Sequence, residues 1–170
     1  MNTLFKRMIG ASRLDAQTYE QVEADRKSTV GAIFVVVAAS MAAAIGSGAR
    51  DVATVISALA LLLATWLVWV GLTYVIGTRL MPESQTHADV GEVVRTTGFS
   101  AAPGVLRILG VLPVVGLPIS IAVTIWMLAT FVVAIRQALD YSSSVRALAV
   151  CLLGWLIHGL LFFGFVQTAV

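Results

Sequence analysis

Charged side chains are scarce in this sequence. Asp, Glu, Lys and Arg make up 12% of its 170 residues, about half the share usual in soluble domains. Apolar residues make up 59%, and the mean hydropathy is +0.94. A soluble domain of this length could not bury so much apolar surface, and a disordered chain is far more polar. The composition therefore excludes both classes and indicates an integral membrane protein.

Cysteine and catalytic motifs are also scarce. The single cysteine, Cys151, lies in an apolar run, so we expect neither a disulfide within the chain nor a cysteine metal cluster. No nucleophile elbow, H-E-x-x-H motif or phosphate-binding glycine loop is found. The two histidines, His87 and His158, are predicted at different membrane depths. We therefore expect no metal site, no cofactor and no enzymatic activity. The net charge of +2 does not favour nucleic-acid binding.

Long uncharged runs define the predicted spans, because a membrane-crossing helix needs about 20 mostly apolar residues. One run, residues 108–135, is divided by Pro113 and Pro118, which predict a tight turn between two helices. A kink is predicted near Pro103. The fold class is thus an all-α, polytopic membrane helix bundle. Its five transmembrane helices are predicted at about residues 30–49, 52–76, 91–112, 117–138 and 145–169. A four-span arrangement is the alternative if the third segment lies partly in the interface.

Residues 1–29 are predicted to form a short cytoplasmic N-terminal segment, followed by the membrane domain over residues 30–170. The segment reads as two helices separated near Gly10 and Ser12. The first has a small apolar face suited to the inner leaflet, made of Leu4, Phe5, Met8 and Ile9. The second, over residues 15–27, is either a solvated polar helix or a partner site.

Basic residues predict the orientation. With the N-terminus inside, eight Lys and Arg residues fall on the inner side, whereas Arg50 alone falls on the outer side. The positive-inside rule therefore predicts a multi-pass protein of the inner or plasma membrane. Its N-terminus is cytoplasmic, and with five spans its C-terminus, Val170, is external.

Ionisable residues at the inner ends of the spans form the first candidate site, because an unpaired charge in the membrane is costly. We predict an inner-mouth charge cluster of six residues: Asp89, Glu92, Arg95, Arg136, Asp140 and Arg146. Arg95 and Asp140 lie at similar predicted depth and are expected to pair, with Arg136 as the competing partner of Asp140. The cluster is either a binding mouth or a set of side chains that snorkel to the headgroups.

Four tryptophans near mid-membrane form the second candidate site. At 1.5 Å per residue, Trp66, Trp69, Trp126 and Trp155 lie roughly 12–18 Å from the inner helix ends, away from the usual interfacial belts. His158 lies about 21 Å from that end. A buried indole N–H requires an acceptor. These five residues either pack between helices or line a pocket for a lipid or another amphipathic molecule.

Five short stretches carry a family resemblance: residues 97–103 (TGFSAAP), 125–126 (IW), 134–140 (AIRQALD), 146–148 (RAL) and 154–155 (GW). Together they resemble the Yip domain family, the Ypt/Rab-interacting five-span membrane proteins, and in particular its prokaryotic branch. The resemblance covers about residues 15–170. It implies five helices, a cytoplasmic N-terminus and an external C-terminus. Eukaryotic members bind prenylated small GTPases, but their D-L-Y-G-P motif is absent here, so the resemblance does not extend GTPase binding to this chain.

These observations predict a non-enzymatic integral membrane protein that organises the bilayer or a membrane complex. Its expected partners are membrane lipids, another membrane protein or a second copy of the chain. The alternative is a small transporter or channel component, with a charged inner mouth and a mid-membrane aromatic pocket.

Overall fold

The computed structural model describes the backbone of residues 3–169 and the side chains of residues 3–159, and this part of the chain is helical without strands. Two short helices come first, α1 (Thr3–Ser12) and α2 (Ala16–Ala24). Four long helices are α3 (Ser28–Gly46), α4 (Val52–Val75, continued by a π-helical turn Ile76–Leu80), α6 (Gly116–Ala138) and α7 (Ser144–Ala169). Between α4 and α6 lie α5 (Val90–Ser100) and a 3₁₀ helix (Ala102–Val111). The predicted all-α fold class is confirmed.

Three helices among the described residues are long and apolar enough to cross a membrane: Ser28–Gly46, Val52–Leu80 and Gly116–Ala138. The other two predicted spans correspond to α5 with the 3₁₀ helix, and to α7. The five-span count itself stays a prediction.

Capping residues and prolines set the helix ends. Asp51 accepts a hydrogen bond from the Thr54 amide at 2.9 Å and begins α4. Asp89 and Glu92 form a capping box at the start of α5, with bonds of 2.7 and 2.8 Å. At Ala101 the chain changes from α5 to the 3₁₀ helix, because Pro103 has no N–H to continue an α-helix. This change of helix type is the form that the predicted kink takes.

Small residues let α3 lie directly against the 3₁₀ helix. A Cβ on Gly46 would collide with the carbonyl oxygen of Arg107, and a Cβ on Gly110 would lie 2.6 Å from the carbonyl oxygen of Gly46. Nearer the middle of α3, Ala39 faces Gly104 of the 3₁₀ helix. A Cβ on Gly104 would lie 3.0 Å from the Cβ of Ala39. The small residues of α3 therefore serve packing within this bundle.

The N-terminal segment packs against the bundle. Helix α2 buries Thr18, Tyr19 and Val22 against α5 and α6, while Gln17, Glu20 and Gln21 stay exposed, so the helix has one solvated face and one packed face. The Tyr19 hydroxyl lies 3.2 Å from the carbonyl oxygens of both Ala11 and Thr130, and it can donate to either. A narrow, mostly apolar face between charged residues is thus enough to pack this helix against the bundle.

Helix α1 also contacts the bundle. Leu4 and Met8 pack against its core, whereas Phe5 and Ile9 remain exposed. Only half of the predicted apolar face is therefore available to a leaflet. The helix continues through Gly10, where a break was predicted. A Cβ at this position would collide with the Thr18 side chain of α2, so the glycine serves the close packing of α1 and α2.

Candidate functional site

The contacts of the predicted inner-mouth residues fall into two groups. The first surrounds Arg95, whose side chain is buried. Its Nε and Nη2 atoms donate to the carbonyl oxygen of Glu23 at 2.9 and 2.5 Å, which fastens α5 to the end of α2. Over the described residues Arg95 forms no ion pair with Asp140, so the expected pairing is not made.

Glu23 is the titratable group of this first site. Its pKa is raised to about 7, first by burial and then by the negative charges of Asp140, Glu92 and Glu20, while Arg95 opposes them. The site therefore holds a carboxyl group that changes protonation near neutral pH. Sequence reasoning missed Glu23 because it lies in a stretch interpreted as a solvated helix.

The second group joins the loop after α4 to the start of α7. Arg146 Nε lies 3.3 Å from Glu83 Oε1 in an ion pair. The amide and hydroxyl of Ser142 donate to Glu83 Oε2 at 2.9 and 2.8 Å. These bonds and Arg146 hold the pKa of Glu83 below its usual range. Beside them the Tyr141 hydroxyl is 2.8 Å from the carbonyl oxygen of Met81. The group serves to tie two predicted cytoplasmic loops together.

The remaining predicted cluster members have separate roles. Asp89 and Glu92 form the capping box of α5. Arg136 Nη1 donates to the Ser144 hydroxyl at 3.2 Å, and its buried Nε has no hydrogen-bond partner among the described residues. Asp140 is exposed and has a φ of +52°, in the turn that ends α6.

A cavity of about 450 Å³ lies between α3, α4, α6, α7 and the segment formed by α5 and the 3₁₀ helix. Its walls are mostly apolar, and they include Trp66, Trp69, Trp155 and His158 of the predicted aromatic site. The structure thus brings four of the five predicted residues to one cavity, although the Trp155 side chain is 59% exposed. This volume and this mixture of side chains are usual for a small-molecule pocket.

Trp126 is the exception, and its assignment to the cavity is corrected. Its side chain is partly exposed, and its Nε1 atom donates to the carbonyl oxygen of Ser12 at 2.7 Å. The end of α1 supplies this acceptor because α1 lies against α6. Trp126 therefore fastens the N-terminal segment.

Three nitrogen atoms on the cavity side chains are unpaired. Trp66 Nε1, Trp69 Nε1 and His158 Nδ1 are buried and have no hydrogen-bond partner among the described residues. The Trp69 ring stacks on Phe131 with centroids 3.8 Å apart. Its Nε1 atom faces Gly154, where a Cβ would be 3.1 Å away. Leaving a buried indole N–H donor unpaired costs about 1–3 kcal/mol.

Arg107 also lines the cavity, through the 3₁₀ helix. Its Nη2 atom donates to the Thr124 hydroxyl of α6 at 3.0 Å. The sequence alone does not indicate that the 3₁₀ helix turns this arginine toward a cavity. None of the six inner-mouth residues lines this cavity over the described part of the chain, so the two candidate sites are separate.

The sequence profile of the Yip1 domain matches residues 13–166. The chain belongs to the Yip1-domain family. No curated protein and no solved structure matches it. The matched region includes α2 and every helix of the bundle, so Glu23, Arg95 and the cavity all lie within the Yip1 domain. The family is one of non-enzymatic membrane proteins. The apolar helices of this Yip1-domain chain agree with the membrane character of the family.

Proposed function

We propose that this Yip1-domain protein holds one amphiphilic, lipid-like molecule in the cavity and thereby helps to organise the bilayer or a membrane complex. We place it in the inner or plasma membrane with its N-terminus in the cytoplasm, and we assign it no enzymatic activity. The observation that carries the proposal is a mostly apolar cavity of about 450 Å³ whose lining includes Trp66, Trp69 and His158, each with a buried nitrogen atom that has no hydrogen-bond partner among the described residues.

The physical argument rests on the match between these walls and an amphiphile. Apolar side chains pack favourably against an acyl or similar chain, whereas water would form few hydrogen bonds with these walls. Oxygen atoms of the same molecule can accept hydrogen bonds from the indole groups of Trp66 and Trp69 after small ring movements. Such bonds recover the free energy that the unpaired donors cost the empty bundle.

A transporter is less favoured, because passage would require the cavity to connect with the charged inner mouth. The Arg95 side chain is instead buried and bonded to the Glu23 carbonyl oxygen. Retention of a bound molecule therefore fits the geometry better than passage through the bundle.

Native mass spectrometry of the protein purified in mild detergent tests the proposal. We expect one lipid-sized adduct on the unsubstituted chain. Thr65→Phe, which places a ring in the cavity, should lose that adduct. Val68→Phe is the matched control, because Val68 lies on the same helix but is 47% exposed on the outer surface.

Thermal unfolding of each variant establishes that it is folded, and Ser40→Leu on α3 provides a second way to fill the cavity. Absence of any adduct on the unsubstituted chain would contradict the proposal. Equal retention by Thr65→Phe and Val68→Phe, when both are folded, would contradict it as well.

A further inference from the structure

We infer that the molecule held in the cavity has an anionic head group, a carboxylate or a phosphate, and that Arg107 binds it. The inference rests on the proposed function, because it names the chemistry of the same cavity's ligand. It starts from the positive charge of Arg107. This side chain lies on a mostly apolar wall of the cavity, and no carboxylate among the described residues forms an ion pair with it.

Arg107 has five N–H donors, and the Thr124 hydroxyl accepts from one of its nitrogen atoms. Over the described residues no carboxylate forms an ion pair with it. A cation inside a membrane domain is costly and usually pairs with an anion or reaches the headgroups. Arg107 is half-buried and faces the cavity, so a bound anion can supply the missing charge there.

The other carboxylates of the bundle are distant or already used. Glu23 and Glu92 belong to the Arg95 site, which lies roughly 20 Å away along α5 and the 3₁₀ helix. Asp51, in the loop between α3 and α4, accepts hydrogen bonds from the amide and hydroxyl of Thr54 at 2.9 and 2.7 Å. Among the described residues that line the cavity, Arg107 is the one arginine or lysine, and none is a carboxylate.

The cavity has two ends, which fixes the orientation of the ligand. Thr124, the partner of Arg107, and Phe131, the partner of Trp69, both line it from α6. They are seven residues apart, or about 10 Å along the helix. The head group lies at the Arg107 end, and the apolar chain runs toward the stacked rings of Trp69 and Phe131.

His158 lies between these two ends. It follows Gly154, which faces Trp69, by four residues, or about 6 Å along α7. Because α7 runs antiparallel to α6 after a short loop, this displacement is toward Arg107. His158 is thus at the level just below the anionic head, where its Nδ1 atom, which has no partner among the described residues, can bond to a neutral polar group of the ligand.

Binding of three amphiphiles with the same chain tests the inference: oleate, oleoyl lysophosphatidate and oleyl alcohol. Each is titrated into the delipidated full-length protein in detergent at about pH 8, where both acids are ionised, and bound ligand is counted by native mass spectrometry. We expect at least one anion to bind about tenfold more tightly than the alcohol, which corresponds to about 1.4 kcal/mol. The tighter of the two anions distinguishes a carboxylate from a phosphate ligand.

Three variants assign the preference to this side chain. Arg107→Gln should bind all three amphiphiles with similar affinity and still bind the alcohol, whereas Arg107→Lys should keep most of the preference. Arg50→Gln is the matched control, because Arg50 is an exposed cation in the α3–α4 loop that does not line the cavity.

The outcomes separate the two proposals. Equal binding of anions and alcohol by the unsubstituted protein overturns the anionic head group and leaves amphiphile binding intact. An unchanged preference in Arg107→Gln overturns the role of Arg107 and leaves that side chain as a snorkelling residue. Failure to bind any of the three amphiphiles, with no lipid adduct in the purified protein, contradicts the proposed function itself.

Discussion

Arg95 shows how the partner of one buried charge changes the electrostatics around it. Its guanidinium group is bonded to a backbone carbonyl group, so the nearby carboxylates are not neutralised in a direct ion pair. Sequence spacing could predict that Arg95 lies at the inner end of a helix. It could not predict the acceptor, because a carbonyl group is present at every residue and leaves no pattern.

Glu23 should make stability depend on pH. Its pKa is raised from 4.5 to about 7, so the folded state binds a proton more tightly than the unfolded state between these values. The free energy of unfolding should therefore fall as pH rises from about 5 to about 8. Glu23→Gln should remove this decrease. At about pH 8 the variant should be more stable than the unsubstituted protein by roughly 1 kcal/mol, a value that allows for the partial exposure of Glu23 to solvent. Thermal unfolding in detergent across this range measures it.

Asp140→Asn provides the control for that experiment. It removes a negative charge that raises the pKa of Glu23, and asparagine tolerates the φ of +52° at this position. The variant should therefore keep its stability and show a smaller pH dependence. A loss of several kcal/mol would indicate an Arg95–Asp140 pair, and pH-independent unfolding of the unsubstituted protein would refute the assignment to Glu23.

At the scale of elements, local signals predicted the helices well and their contacts poorly. Uncharged runs and Pro113 marked the turn before α6, Pro118 lies in the first turn of α6, and Pro103 marked the end of α5. The 3₁₀ geometry was not predicted, because Pro103 indicates only that the α-helix is interrupted and not which type of helix follows. The burial of α2 was missed because Tyr19 and Val22 form only a narrow face between charged residues.

Two glycine substitutions test the contact between α3 and the 3₁₀ helix. Gly46→Ala should destabilise the protein by about 1–3 kcal/mol, because its Cβ meets the Arg107 carbonyl group and the two backbones must separate. Gly71→Ala is the matched control on exposed α4, where a Cβ meets nothing within 4 Å. It should be neutral or stabilising by up to about 1 kcal/mol. Unfolding followed by far-ultraviolet circular dichroism compares them, and equal stability of the two variants would rule out the close contact.

On the scale of the whole molecule, the predicted cytoplasmic loops meet at one end. Glu83 and Arg146 join the loops after α4 and α6, and Arg95 joins the start of α5 to the end of α2. The basic residues predicted which loops lie on the same side of the membrane, because the positive-inside rule applies to each loop separately. They could not predict the ion pair or the backbone bond that connects these segments.

Reporter fusions test the orientation. A reporter inserted near Ser84 should score as cytoplasmic, because eight basic residues fall on that side of the predicted five-span chain. A reporter fused after Val170, which lies outside the described residues, should score as external. Insertion after Arg50 is the opposite-side control for Ser84. An internal score at Val170 would overturn the five-span count.

The docking of the N-terminal segment has a consequence for biosynthesis. Its partners on α6 are Thr130, Trp126 and Gln137, at separations of 111, 114 and 117 residues. The ribosome adds about 5–20 residues per second, so these partners emerge on the order of 10 s after α1 and α2. Throughout that interval Tyr19 and Val22 lack the part of their packing surface that α6 provides. The first helices to be synthesised are thus among the last to reach their native contacts, and nascent chains that end before α6 should leave them accessible to protease.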